Sequence, residues 1–426
     1  MSIEQPETRP ATETVSKVAL DLQDERLIAS NGVGGAARAF WRRVRGGDLG
    51  SLPVIVGLVI IWGVFTILNQ TFLTPYNIGN LLQQATPVGV ISLGIVFVLL
   101  LGEIDLSVGS VAGLSSAIVA VVFVVNGVDA GLALLAAMAS GVVIGLVYGL
   151  LFTRFGVPSF VVTLAGLLAF LGLQLFVLGA NGSVNIPFTS PLVQFAQQWY
   201  LPQWLAYLVI VAGALIYALA LLANARRRSA AGLSALSAGG ILFRVIALLV
   251  LLAVAASYLY LPGGRGVGAM FLLFVVLVVV ADILLRRTRW GRSIFAVGGN
   301  VEAARRSGIK VRAVYMSVFA VCSFLAAVGG ILLAARLGSA TQSTGGTDVN
   351  LNAIAAAVIG GTSLFGGRGS AYSALLGILV IWSITNGLNL LQLDSSVRYM
   401  ITGAVLLIAV IVDALSRRSR AASGRA

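Results

Sequence analysis

The sequence lacks histidine altogether and contains only one cysteine and two lysines among its 426 residues. Without histidine there is no imidazole base and no histidine-ligated metal, and the lone Cys322 can form neither an intrachain disulfide nor a CxxC site. Neither Lys17 nor Lys310 lies in the glycine-rich pattern of a P-loop. The sequence therefore predicts no cofactor and no metal in this chain, and any ATP that drives its function must be bound by another subunit.

Charged residues are scarce as well. They make up 10% of the chain, whereas a soluble protein carries roughly a quarter. Apolar residues make up 58%, and the mean hydropathy is +1.00. This composition excludes a soluble enzyme and indicates a protein that crosses the membrane several times.

The apolar residues occur in continuous runs, which favours helices over the alternating strands of a membrane barrel. We predict an all-α polytopic membrane protein with about 10–12 transmembrane helices. The runs lie at 52–69, 78–101, 107–125, 130–152, 158–179, 203–223, 245–261, 268–285, 314–335, 350–365, 371–391 and 398–415. The segment 350–365 is too short for a comfortable crossing, and a half-helix packed against its neighbours is the alternative.

Basic residues are distributed unevenly between the two sides of these spans. With the N-terminus inside, 22 basic residues flank the spans on the cytoplasmic side, and three, Arg265, Arg336 and Arg398, lie outside. This bias predicts that both termini are cytoplasmic and explains the net charge of +13 without a nucleic-acid partner. Three regions follow: a flexible cytoplasmic tail over 1–45 without a signal-peptide core, a membrane domain over 46–416, and a basic cytoplasmic tail over 417–426.

The order of the spans permits internal symmetry. The first five begin inside and the last five begin outside, as in transporters built from an inverted repeat of five plus five helices with broken or short members. Gly141, Gly145 and Gly149 form a ridge of small residues along the fourth span. We predict that this ridge lets two helix backbones approach closely, because such packing holds helices together in lipid.

The longest internal loop, 286–312, begins with RWGRSIFAVGGN, which is basic and predicted to be rich in turns. Asn300 can then cap a short helix, with Glu302 in its first turn and Gly308 placed to end it. Two interpretations stay open from the residues alone. The short helix can receive force from a soluble motor, or the loop is a solvated segment that obeys the positive-inside rule.

The second span is followed by GEIDLSVGS, residues 102–110. An ionised carboxylate at the bilayer centre costs about 2.5–3.5 kcal/mol. Glu103 and Asp105 are therefore expected near an interface, in a wet cavity or beside a partner. Asp105 with Ser107 is a candidate cap for the third span, and the alternative is a role of Glu103, Asp105 and Ser107 in gating or translocation.

Four motifs in the same order carry a family resemblance. GEIDLSVGS, VPSFVVTLAG (157–166), GRSIFAVGGNVEAARRSGIKV (291–311) and AIAAAVIGGTSLFGGRGS (353–370) resemble the bacterial ABC sugar permeases of the ribose/xylose class. The similarity extends from about residue 50 onward and is strongest to the xylose subgroup. In that subgroup an extra pair of spans, here 203–261, is joined by an arginine-rich link.

The resemblance implies an importer in the bacterial inner membrane whose permease pairs with a second copy of itself. A periplasmic sugar-binding protein delivers the substrate, and a cytoplasmic ABC ATPase consumes ATP-Mg. The segment that docks into this ATPase is matched here by the coupling residues Gly299, Asn300, Glu302, Ala303, Arg305, Arg306 and Gly308.

A sugar is neutral and rich in hydroxyl groups, so its path requires hydrogen-bonding groups without fixed charge. The predicted path residues inside the spans are Gln83, Gln84, Thr163, Asn386 and Asn389. Each of them can instead hold two helices together. The resemblance makes D-xylose or a similar pentose or hexose the best guess for the substrate, and an ion-coupled secondary sugar carrier is the alternative function.

Overall fold

A computed structural model describes residues 52–397 and, beyond them, residues 400, 401, 403, 404, 407 and 411. The predicted N-terminal tail, most of the predicted span 398–415 and the basic C-terminal tail lie outside the described residues. Within the described chain, residues 204–255 form one compact unit and the remaining residues form a second, larger one.

The described chain is almost entirely helical. Its helices are α1 Leu52–Leu68, α2 Pro75–Leu100, α3 Val108–Ala120 with a π-helical continuation Val121–Val125, α4 Ala130–Phe155, α5 Ser159–Leu178, α6 Pro191–Gln197, α7 Gln203–Ala230, α8 Ala238–Leu259, α9 Ala269–Arg287, α10 Arg289–Gly299, α11 Val301–Arg306, α12 Val311–Leu337, α13 Thr347–Ile359 and α14 Tyr372–Leu390. The strands β1 Ser183–Asn185 and β2 Ser339–Thr341 pair antiparallel, with Val184 opposite Ala340.

Nine helices in this part of the chain are long and apolar enough to cross a membrane, and α1 and α13 are shorter apolar helices. The all-α polytopic membrane fold is therefore confirmed. Local sequence signals fix several helix ends: the Thr74 hydroxyl accepts from Asn77 N at 3.3 Å before Pro75 at the start of α2. Asp129 likewise caps α4, which ends at the left-handed Gly156.

Two helices, α2 and α12, form the centre of the larger unit and are buried over most of their lengths. α12 packs along α2, α3 and α4, whereas α2 also packs against α13 and α14. The central helix of each half thus contacts the later helices of the other half. The inverted repeat of five plus five helices stays a prediction.

The glycine ridge of α4 lies against α12. A Cβ atom at Gly141 would stand 2.6 Å from Ser323 O, one at Gly149 would stand 2.6 Å from Met316 Cα, and one at Gly145 would overlap Phe319 O. The predicted close approach of two backbones is therefore confirmed. It matters for function because α12 leads directly from the loop 286–312 into the bundle.

The predicted short span is a half-helix preceded by a turn. α13 has 13 residues, about 20 Å of helix, against a hydrocarbon core of about 30 Å. Between β2 and α13 the backbone forms an irregular turn, of which Thr344 and Gly345 are buried in protein. Gln174 of α5 fixes this stretch, because its Nε2 donates to Thr341 O and Thr344 O, both at 2.9 Å.

The smaller unit consists of most of α7 and α8. α7 continues to Ala230, so Arg226–Arg228, predicted to lie in a link, are helical. The Arg228 Nε donates to Ser234 O at 2.6 Å and closes the short connection. α8 begins at Ala238, earlier than the apolar run, because Arg244 is accommodated within the helix.

Candidate functional site

The loop 286–312 is largely helical, and the prediction of turns in RWGRSIFAVGGN was wrong. α10 covers Arg289–Gly299, and the Thr288 hydroxyl caps it by accepting from Gly291 N at 3.0 Å. The three glycines of this stretch lower its helix propensity and suggested turns. Trp290, Ile294 and Val297, spaced as one helical face, override that preference because Ile294 and Val297 are fully buried against the core.

The next helix, α11, agrees with the prediction in each local detail. Asn300 Oδ1 accepts from Ala303 N at 2.9 Å, and Glu302 forms ion pairs with Arg305 at 3.1 Å and Arg306 at 3.4 Å. The chain leaves the helix through Gly308, whose φ of +82° favours glycine. The predicted coupling residues therefore lie together, and Glu302, Ala303, Arg305 and Arg306 are exposed.

The end of α10 contacts the end of α2 and the turn between α13 and α14. Gly367 N, in the turn between α13 and α14, donates to Leu100 O at the end of α2 at 2.9 Å. A Cβ at Gly366 would lie 2.6 Å from Gly298 O, and one at Gly298 would overlap Leu100 O. We call these residues, Leu100, Gly102, Gly298, Gly366 and Gly367, the glycine junction. Three backbones meet there without intervening side chains.

The chain between α2 and α3 buries two of the predicted gating residues, Asp105 and Ser107. Asp105 is 1% exposed, and its Oδ1 accepts from Ser107 N at 2.8 Å and from Ser107 Oγ at 2.7 Å. Tyr148 of α4 donates its hydroxyl to Ser107 Oγ at 2.8 Å, and Cys322 of α12 lies 3.8 Å from Asp105 Oδ2. This segment is therefore held by side chains from two neighbouring helices.

Glu103 lies outside this cluster and is half-buried. Its Oε2 accepts from Ser159 Oγ, at the first residue of α5, at 2.6 Å. The ion pairs among the described residues use Asp282 and Glu302, not Glu103 or Asp105. Within this part of the chain, Asp105 is therefore contacted by amide, hydroxyl and thiol donors and Glu103 by a hydroxyl, and neither carboxylate has a cationic partner.

The expected cap of α3 takes a different form. Ser107 occupies the position before the helix, but its side chain makes no capping bond. Asp105 accepts the Ser107 amide instead, which closes a turn ahead of the helix. The hydroxyl of Ser107 is already engaged by Asp105 and Tyr148, which explains why it does not cap α3.

The predicted path residues fall into two groups. The side-chain amides of Asn386 of α14 and Asn77 of α2 form two hydrogen bonds with each other, at 2.8 and 3.1 Å. Thr163 Oγ1 accepts a hydrogen bond from Leu106 N at 3.2 Å. These two side chains hold elements together. Asn389 lies three residues after Asn386 on α14, and α14 packs against α2.

Gln83 and Gln84 lie side by side on α2, but only Gln83 is fully buried. Both amide atoms of Gln83 lack a hydrogen-bond partner among the described residues, and the side chain lies against Gly268 at the start of α9. A buried amide without a partner is costly, so the hydrogen bonding of Gln83 is incomplete among the described residues. Gln84 is half-buried.

Two polar residues at the helix breaks were missed from the sequence. Asn77 forms the amide pair described above, and Asn350 Nδ2 of α13 donates to Leu106 O at 2.6 Å. Each is an amide side chain at the edge of an apolar run, and that was the available signal. Among the described residues, no group of three or more Cys, Asp and Glu side chains could hold a metal ion.

Comparisons with known proteins give a consistent result. The model of the family described as "Branched-chain amino acid transport system / permease component" matches residues 77–410. The chain is 36% identical over 370 residues to the xylose transport system permease protein XylH of Haemophilus influenzae. This alignment covers 86% of this chain and 96% of that protein.

Two further relatives are similar over almost the same length. The chain is 35% identical to XylH of Escherichia coli K12, over 86% of this chain and 92% of that protein. It is 34% identical to the ribose import permease protein RbsC of Bacillus subtilis, over 86% and 94%. No solved structure matches the chain.

Proposed function

Because the chain belongs to the family of permease components of branched-chain amino acid transport systems, we propose that it is the permease subunit of an ABC importer for a monosaccharide. The chain is a multi-pass membrane protein and a transport subunit, not an enzyme. The observation that carries the proposal is its similarity to xylose and ribose permeases along almost their whole lengths.

D-xylose, or a similar pentose or hexose, is the proposed substrate. Three of the relatives described above are named as xylose or ribose permeases. Gln83 supports a hydroxyl-bearing substrate, because its amide can both donate and accept without any fixed charge. Weak binding suits such a path, since tight binding would slow release, and selectivity can reside in the binding protein.

Energy enters this chain through α11. The exposed face of Glu302, Ala303, Arg305 and Arg306 is the proposed contact with a cytoplasmic ABC ATPase that uses ATP-Mg. The glycine junction supports this role, because a displacement of α10 reaches the ends of α2 and of the α13–α14 turn through direct backbone contact. The breaks near Asp105 and before α13 are then the points at which the path opens and closes.

The remaining partners follow from the same proposal. A second copy of the chain completes the path, a periplasmic sugar-binding protein delivers the substrate, and the complex lies in the bacterial inner membrane. Both termini face the cytoplasm, as the distribution of basic residues predicts.

Reconstitution tests the proposed function. Proteoliposomes that contain the chain with its ATPase and its binding protein should accumulate labelled D-xylose only when ATP-Mg is supplied. A hydrolysis-deficient ATPase is the control, and unlabelled ribose and glucose measure selectivity. Accumulation by the chain alone, driven by a proton or sodium gradient, would show an ion-coupled carrier and contradict the proposal.

A further inference from the structure

An open groove separates the first turn of α10 from the first turns of α12, beside α11. It has a volume of about 710 Å³, and its wall includes Arg289, Trp290, Ser293, Lys310 and Ser317. Arg289 and Lys310 are exposed, and none of the lining residues is acidic. The groove therefore presents positive charge to whatever occupies it.

The charge of this groove is not neutralised within the described chain. The ion pairs there join Arg286 to Asp282, and Arg305 and Arg306 to Glu302, so Arg289 and Lys310 take part in none of them. Lys310 also lines an adjacent cavity of about 500 Å³ with Arg305 and Arg312. Free N–H groups in the first turns of α10 and α12 add positive potential of the same sign.

The residue types around the groove are those found at the level of the lipid headgroups in membrane proteins. The Trp290 indole donates to Ser317 Oγ at 2.7 Å, and tryptophan is typical of the membrane interface. α9, which leads into Arg289, exposes Val276, Val280 and Ile283 and ends with exposed Arg286 and Arg287. Apolar surface thus gives way to basic surface just before the groove begins.

We propose that this groove binds the phosphate headgroup of an anionic phospholipid, with Arg289 and Lys310 as its two cationic contacts. The depth favours a lipid over a free anion from solution. The groove shares Gly308 with the predicted coupling residues, but its two cationic contacts, Arg289 and Lys310, are not among them. A lipid held there fixes α10 to α12, and the glycine junction then depends on the lipid for its position.

Native mass spectrometry of the delipidated full-length chain tests this site, with phosphatidylglycerol and phosphatidylcholine of equal chain length as probes. The wild type should retain phosphatidylglycerol preferentially. Each basic residue beside an anionic bilayer contributes roughly a five-fold factor, so Arg289→Gln with Lys310→Gln should weaken retention roughly 30-fold. Lys310→Gln alone should weaken it roughly 5-fold, which keeps the test valid if the double variant is unstable.

The control removes the same charge elsewhere: Arg226→Gln with Arg227→Gln in α7 should retain the lipid as the wild type does. Equal retention by the groove variant and the wild type overturns the proposal, as does an equal loss in the control. Displacement of the lipid by millimolar inorganic phosphate also overturns it, since the site would then recognise a free anion. Unchanged lipid retention with loss of co-purified ATPase would assign the groove to the ATPase instead.

Discussion

At position 298 even one methyl group lacks space, because a Cβ there would overlap the carbonyl oxygen of Leu100. Overpacking against backbone costs typically about 1–3 kcal/mol. We expect Gly298→Ala to lower the thermal unfolding temperature in detergent and to reduce ATP-driven uptake. Gly299→Ala is the matched control, because nothing lies within 4 Å of a Cβ at that neighbouring residue. Equal stability of the two variants would contradict the packing account of the junction.

Individual residues differ in how far their roles could be predicted from the sequence. The cap of α11 depends on Asn300 and its near neighbours, so local chemistry was enough to predict it. Asp105 is contacted by Cys322, 217 positions away in the chain, and its neighbour Ser107 is held by Tyr148, 41 positions from Ser107. The free-energy cost of a carboxylate inside the bilayer predicted that Asp105 needs a partner, but only the tertiary fold determines which residues provide one.

Among the secondary-structure elements, continuous apolar runs predicted the long spans, while the breaks between helices followed other rules. α10 shows why: its glycines indicate turns, yet burial of Ile294 and Val297 makes it a helix. The irregular turn before α13 is fixed by Gln174 from another helix, so no local pattern marks it. Tertiary contacts therefore decide the short elements, and these are the elements that form the candidate site.

A substitution in α11 should impair ATPase coupling without lowering the stability of the fold. Its ion pairs are exposed, and such pairs contribute at most about 1 kcal/mol. We expect Glu302→Arg to leave the unfolding temperature and membrane insertion almost unchanged but to abolish ATPase co-purification and sugar uptake. Asp282→Asn breaks the comparable i,i+4 pair with Arg286 and should keep both activities. Full uptake by Glu302→Arg would exclude α11 as the coupling element.

For the whole molecule, the helical membrane-spanning character was accessible from composition, but the exchange of partners between α2 and α12 was not. Both central helices are buried over most of their lengths, and their long apolar stretches indicate burial without indicating a neighbour. The exchange has a consequence for transport. A force applied at α10 reaches α2 of the first half and the α13–α14 turn of the second half together.

The orientation of the entire bundle can be tested because its only cysteine, Cys322, is fully buried. The 27 residues of α12 separate α11 from the β1–β2 pair, about 40 Å along the helix axis. We expect a membrane-impermeant maleimide to label Thr189→Cys, beside β1, in intact spheroplasts. Arg306→Cys on α11 should react only after the membrane is opened, because α11 must face the ATPase. The unsubstituted chain should remain unlabelled, and labelling of Arg306→Cys from outside would reverse the topology and remove the basis for ATP coupling.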